Sequence, residues 1–193
     1  PALVHFLNPE LATPFAPRPY VVTVHDLMRL RHPAWFPPLR RKALLQWRLA
    51  EAAIRRASAV VAVSDSTARD VVQLLGVERE RITVTPLAPG PGFCPADPDA
   101  CRARVSRELG LTGQYVLCVG GFDPRKSVAA LVRTFAGETA LGAAKLVLAG
   151  PFCVSQSFVD VIESISAFRL WDRVVLTSHV PDDLLADLYR CAS

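Results

Sequence analysis

The chain has 193 residues, of which 51% are hydrophobic and 21% charged, a globular composition that excludes extended disorder. It is long enough to bury a core without disulfides or a metal, and its five scattered cysteines form no CxxC pair, which fits a reducing compartment. The net charge is +4, and residues 1–90 hold 12 of the 22 basic but 7 of the 18 acidic residues. Either phosphate-bearing or membrane partners, or a solvated basic helix, would explain this asymmetry.

No apolar run is long enough to cross a membrane, and the first residues lack the basic start and cleavage site of a signal peptide. In residues 1–95, prolines exclude regular structure over 8–19, and 29–38 is expected to be irregular. Short β-branched runs and helical periodicity then predict strands at Tyr20–Val24, 59–63 and 81–85, a helix at 39–57, and a helix at Asp65–Leu75 between Ser64 and Gly76. Residues 86–95, with four prolines and two glycines, predict a domain boundary.

Strands and helices also alternate after the boundary. It predicts helices at 99–109, 128–136, 155–168 and Asp182–Cys191, and strands at Tyr115–Val119, Lys145–Ala149 and 174–177. Such alternation indicates an α/β fold with parallel sheets. About three strands on each side, where a doubly wound sheet has five or six, indicate parts of two Rossmann-like domains in a longer protein. We assign residues 1–90 to the first, 91–112 to a crossover with a short helix, and 113–193 to the second.

The loop after strand Tyr115–Val119 is the strongest candidate site. Gly120 and Gly121 would let backbone N–H groups approach a ligand, and Arg125 and Lys126 add two cations before the helix that follows Ser127. Because cations in a first helical turn oppose the helix dipole, their placement indicates an anion such as a diphosphate. The spacing matches neither the P-loop nor the dinucleotide fingerprint, and a solvated tight turn remains the alternative.

His25 and Asp26 also follow a buried strand, where a histidine beside a carboxylate could act as a general base or contact a polar substrate. The alternative for His25 is a structural role, and the alternative for Asp26 is to cap the turn that follows. A role as the N-cap of the next helix explains Ser64. No histidine spacing typical of a metal site occurs. The helix at 39–57 carries basic residues around an apolar stripe with Trp47, which would suit either an anionic membrane or the protein core.

Taken in order, these motifs resemble glycosyltransferase family 4, the retaining nucleotide-sugar glycosyltransferases of the GT-B fold. The resemblance rests on the histidine loop, the strand leading to a serine, the crossover, the opening of the donor domain and a later turn, which are residues 22–27, 56–64, 82–95, 115–126 and 180–189. It implies that His25 faces the transferred sugar and that Asp26 and Ser64 border the acceptor side. Gly120 and Gly121 would admit the donor diphosphate, which Arg125 and Lys126 would neutralise.

The resemblance implies a nucleotide-sugar donor, no metal, no other cofactor and no nucleic acid. A lipid-linked acceptor would fit a cytoplasmic enzyme that contacts the inner membrane face through residues 39–57. Ser127 departs from the asparagine or glycine common in the family, and the E-x7-E glutamates would follow Ser193, so we expect this chain to be inactive alone. An epimerase or phosphorylase of the same fold, or a non-catalytic sugar-nucleotide-binding or scaffold protein, is the alternative.

Overall fold

The computed structural model describes residues 3–151 and 155–193, so the expectations for Pro1, Ala2 and Cys153 lie outside the described residues. The chain forms two compact units, residues 1–88 and 89–193. Each unit is a parallel sheet packed with helices, which confirms the predicted α/β class. The other four cysteines are free. None of the described helices combines the length and apolar character needed to cross a bilayer.

The first unit has a four-stranded parallel sheet. Its elements are β1 (Val4–Phe6), β2 (Tyr20–Val24), α1 (Met28–Arg31), α2 (Arg41–Arg56), β3 (Ala59–Ala62), α3 (Asp65–Leu75) and β4 (Ile82–Val84). The strands lie in chain order, β1-β2-β3-β4. The prediction of three strands is wrong here, because the three residues of β1 pair with the start of β2 before the prolines begin. The predictions for 8–19 and 29–38 are also wrong, because the first stretch holds a 3-10 turn at Pro9–Leu11 and the second holds part of α1 and a 3-10 turn at Pro33–Trp35.

Helix α2 packs against the sheet through a narrower face than the sequence predicted. Ala50, Ala53 and Ile54 are buried, and the carbonyl of Ala53 accepts a hydrogen bond from the buried Tyr20 hydroxyl at 2.9 Å. Of the predicted stripe, Trp47 is half-buried within the unit. Its face therefore takes part in the packing of this unit.

The second unit has a three-stranded parallel sheet with helices on both faces. Its elements are α4 (Pro98–Leu109), β5 (Tyr115–Val119), α5 (Val128–Gly137), β6 (Lys145–Ala149), α6 (Gln156–Ala167), β7 (Val174–Ser178) and α7 (Asp182–Cys191). Alternate residues of β6 point to opposite faces. Leu146 and Leu148 join one buried cluster with α5 and α6, and Val147 and Ala149 join another with α4 and α7.

Ion pairs and hydrogen bonds hold residues 92 and 94, in the proline- and glycine-rich segment, against helix α7 of the second unit. Asp187 of α7 is buried and accepts from Arg190 at 2.6 Å and from Arg104 of α4 at 3.4 Å. Arg190 also donates to the carbonyls of Gly92 and Cys94, both at 2.7 Å. Burial acts to raise the pKa of Asp187, but hydrogen bonds from the Cys101 thiol and Arg190 outweigh it and lower that pKa.

We expect Asp187→Asn to lower the free energy of unfolding by about 2–3 kcal/mol, because it leaves two partly buried guanidinium groups without their shared carboxylate. Asp183→Asn is the matched control, since Asp183 also pairs with Arg104 but its side chain is 65% exposed. That change should cost less than about 1 kcal/mol. Urea unfolding measures both. Folding lowers the pKa of Asp187, so its carboxylate stabilises the fold only while it is ionised. The extra loss of unfolding free energy in Asp187→Asn, relative to Asp183→Asn, should therefore shrink as the pH falls through the range where aspartate protonates. Equal losses at neutral pH would contradict the network.

Candidate functional site

The predicted residues of the first unit lie at one edge of its sheet. His25 and Asp26 follow β2, and Ser64 is the N-cap of α3, two residues after β3 ends. Since β2 and β3 are parallel neighbours, their carboxyl ends share that edge. His25 and Asp26 are exposed and Ser64 is half-buried. The carboxylate of Asp26 accepts the Met28 N–H at 2.9 Å, which confirms the turn cap expected of it.

A buried threonine joins these two strand ends. The Ser64 hydroxyl accepts the Thr67 N–H at 3.1 Å and lies 3.0 Å from the Thr67 hydroxyl. The Thr67 hydroxyl in turn donates to the His25 carbonyl at 3.0 Å. The first turn of α3 therefore holds the backbone at His25 in place. Sequence analysis missed Thr67, although its position three residues after the cap Ser64 is the usual partner position in an N-cap.

Among the described residues, the imidazole of His25 has one hydrogen-bonding partner. Its Nε2 lies 3.0 Å from the carbonyl oxygen of Leu7, just beyond the end of β1. A carbonyl oxygen only accepts hydrogen bonds, so Nε2 carries the proton of this contact. In the neutral ring Nδ1 is then the acceptor. This arrangement can accept a hydrogen bond from a substrate hydroxyl or take up a proton.

In the second unit, all three strands end in left-handed backbone at one edge of the sheet. The residues are Gly120, Gly150 and Ser178, with φ of 131°, 159° and 59°. The Gly120 N–H donates to the Ala149 carbonyl at 2.8 Å and the Gly150 N–H to the Ser178 carbonyl at 2.9 Å. A Cβ on Gly150 would lie 2.1 Å from the Gly120 carbonyl oxygen. Position 150 therefore requires glycine, a requirement that the glycine directly after a buried strand could have indicated.

The loop after Gly121 is shaped by Asp123. Its carboxylate accepts the backbone N–H of Arg125 at 2.9 Å. It also accepts two hydrogen bonds from the Arg125 guanidinium, from Nε at 2.8 Å and from Nη2 at 3.0 Å. These hydrogen bonds from Arg125 lower the pKa of Asp123. Asp123 is therefore the counter-charge of Arg125 within this loop. Sequence analysis did not single out Asp123, because a pairing two residues apart depends on how the turn folds.

The two cations also lie outside the helix that follows. Residues Pro124–Lys126 form a 3-10 turn, and Ser127 takes a left-handed conformation at φ 50° before α5 begins. The prediction of cations in a first α-helical turn is thus wrong. The left-handed backbone gives a physical reason for the family preference at this position, since glycine and asparagine adopt that conformation most readily.

Lys126 is exposed and reaches back over the end of β5. Its Cε and Nζ lie 3.6 and 3.9 Å from the place where a Cβ on Gly120 would be. Gly120 thus makes room for the Lys126 side chain. Its own N–H donates to the Ala149 carbonyl. Within the described residues the Gly121 amide has no protein acceptor, and it directly follows Gly120 at the same sheet edge.

Comparison with known proteins supports the resemblance seen in the sequence. The model of Glycosyltransferase Family 4 matches residues 2–88, nearly the whole first unit. The O-antigen chain mannosyltransferase B of Escherichia coli is 27% identical over 116 residues, which are 60% of this chain and 30% of that protein. The resemblance to glycosyltransferase family 4 is thereby confirmed.

Solved structures share the fold at low sequence identity. HepE of Anabaena, solved with UDP and glucose, matches with a TM-score of 0.68 and 21% identity over 91% of this chain and 45% of its own. A glycosyltransferase of Rickettsia africae matches with a TM-score of 0.66 and 14% identity over 99% of this chain and 49% of its own. These likenesses confirm the GT-B-type fold. The chain spans about half the length of these two structures.

We expect Gly150→Ala to destabilise the second unit by about 3 kcal/mol or more, because the added methyl group would collide with the Gly120 carbonyl in strained backbone. Gly137→Ala is the matched control in the same unit. A Cβ there would meet no atom within 4 Å, and alanine is the better helix former, so stability should rise by less than about 1 kcal/mol. Urea midpoints of the two variants measure the difference. Similar midpoints would contradict the close approach of these strand ends.

Proposed function

We propose that the protein containing this chain transfers a sugar from a nucleoside-diphosphate donor to an acceptor, with retention at the anomeric carbon. The observation that carries the proposal is the Lys126 ammonium over Gly120, at the carboxyl end of a parallel strand, where open α/β sheets bind ligands. The family match of the first unit supports sugar transfer. The structures of HepE with UDP-glucose support a nucleotide-sugar donor for this fold.

The chemistry demands a cation at the leaving group. As the bond between the anomeric carbon and the diphosphate breaks, negative charge grows on the diphosphate oxygens. An ammonium and a backbone N–H fixed beside those oxygens stabilise that transition state without rearranging. In our proposal Lys126 and the Gly121 amide supply this stabilisation, and no metal is required for it.

Arg125 has a different part in the proposal. Its guanidinium already donates to the Asp123 carboxylate. A diphosphate bound there would therefore compete with that carboxylate for the guanidinium and be repelled by its negative charge. We therefore propose that Arg125 contributes less to donor binding than Lys126. Asp123 limits donor affinity and at the same time caps the turn that carries both cations.

The first unit supplies the sugar side of the proposed reaction. We propose that His25 contacts the transferred sugar through Nδ1, with Nε2 anchored on the Leu7 carbonyl. Asp26 and Ser64 would border the acceptor at the same sheet edge. The name of the E. coli relative favours a growing polysaccharide or lipid-linked sugar as acceptor. The four free cysteines favour a cytoplasmic setting.

The test is a calorimetric titration of the intact protein with a nucleoside diphosphate. Lys126→Ala should weaken binding by about 10- to 100-fold, the loss expected of one charge-assisted contact. Arg125→Ala should weaken it less. Asp123→Asn should strengthen binding by up to about fivefold, because it removes a negative charge near the phosphates while its side-chain oxygen still caps the turn.

Lys145→Ala is the matched control, since Lys145 begins β6 at the opposite end of the same sheet. It removes the same charge and should leave the affinity unchanged. Wild-type affinity in Lys126→Ala would overturn the donor site and with it the proposed function. Weaker binding in Asp123→Asn would overturn the role given to Asp123.

A further inference from the structure

Three arginines lie at the amino edge of the first sheet, opposite the edge that carries His25. Arg18, Arg56 and Arg81 stand just before the neighbouring strands β2, β3 and β4. Because these strands are parallel, the residues that precede them meet at one edge of the sheet. We call these three residues the amino-edge arginines.

Two of the amino-edge arginines reach the same turn of backbone, the end of α2. The Arg18 guanidinium donates to the carbonyl of Arg56. The Arg81 guanidinium donates to the carbonyl of Arg55 at 3.0 Å and also to that of Ala57. These acceptors belong to consecutive residues, so the two guanidinium groups lie close together. Their contacts satisfy the last carbonyls of the helix, where the dipole is negative.

The third arginine adds a charge that this cap does not use. The Arg56 side chain is exposed, and within the described residues it forms neither a hydrogen bond nor an ion pair. All three charges act on the buried Tyr20 hydroxyl. Burial raises the pKa of Tyr20, and the charges of the amino-edge arginines oppose that rise. The three cations are therefore grouped around one place.

The amino-edge arginines have no carboxylate partner in the part of the chain that the structure describes. Of the acidic residues that flank them in sequence, Glu51 pairs with Arg55 at 3.9 Å. Glu78 and Glu80 are exposed and pair with none of the three. Like charges that are held close together repel each other. An anion bound among them would therefore stabilise this arrangement.

We propose that the amino-edge arginines bind a small soluble oligophosphate, the class to which inorganic pyrophosphate belongs. Each guanidinium carries several N–H donors, and the carbonyl contacts use one nitrogen of Arg18 and one of Arg81. The remaining donors form planar forks that match pairs of phosphate oxygens. An oligophosphate places several negative charges on adjoining groups, which suits three cations better than a single carboxylate does.

This inference is independent of the proposed reaction. The site lies at the sheet edge opposite His25, and Lys126 belongs to the other unit. A helix cap alone does not account for the cluster, because Arg56 takes no part in the cap. A phosphate carried on a lipid headgroup has the same chemistry as a free one, so the test separates these two sources.

The test is a calorimetric titration of the 193-residue chain with inorganic pyrophosphate in a phosphate-free buffer. Every chain carries Lys126→Ala, which removes the cation of the proposed donor site from the measurement. The Lys126→Ala chain should bind pyrophosphate, and raised salt should weaken that binding. Adding Arg56→Gln should weaken it by about tenfold or more, the loss expected of one charge-assisted contact. Circular dichroism verifies that the variants fold.

Arg41→Gln is the matched control, because Arg41 begins α2 at its other end, is exposed and forms no ion pair within the described residues. It removes the same charge from the same helix and should leave the affinity unchanged. Absence of binding in the Lys126→Ala chain would overturn the proposal, and so would equal affinities of the Arg56→Gln and Arg41→Gln chains. Vesicles that contain phosphatidic acid test the second source. If they, and not pyrophosphate, bind in a way that Arg56→Gln weakens, the ligand is a lipid phosphate and the assignment to a soluble anion is overturned.

Discussion

The candidate donor site depends on the close approach of two strand ends in the second unit. The Gly120 carbonyl occupies the space that any side chain at position 150 would need, and the Gly120 N–H is bonded to the neighbouring strand. Because no side chain rises from Gly120, the Lys126 side chain can lie over the end of β5. The position of the ammonium, and hence of the proposed diphosphate, follows from this backbone contact.

In the first unit, side chains rather than backbone groups hold two strand ends close together. Its strand ends carry His25 and Ser64, and the buried hydroxyl of Thr67 joins them by bonding the His25 carbonyl. In both units, parallel strands bring residues distant in sequence to one edge, where loops can present them to a ligand. A second hydrogen bond then orients the functional group, because the imidazole donates to the Leu7 carbonyl and Arg125 donates to the Asp123 carboxylate.

Long apolar strands and capped helices could be predicted from the sequence. Strands such as Tyr115–Val119 and the helix Asp65–Leu75 have the predicted bounds, because β-branched runs, an N-cap serine and a C-cap glycine act locally. Strand β1 has three residues, too few for a period, and forms because β2 is there to pair with it. The Asp123–Arg125 pair depends on turn geometry, and the choice of which face of α2 is buried depends on packing. No local sequence pattern specifies either.

The most direct test of sugar transfer with retention is the anomeric configuration of the first product. The intact protein would be incubated with nucleotide sugars and an acceptor, and the anomeric configuration of the new linkage would be determined by proton NMR. Our account predicts release of a nucleoside diphosphate and a product with the anomeric configuration of the donor. An inverted product, or an epimerised nucleotide sugar formed without any acceptor, would contradict it.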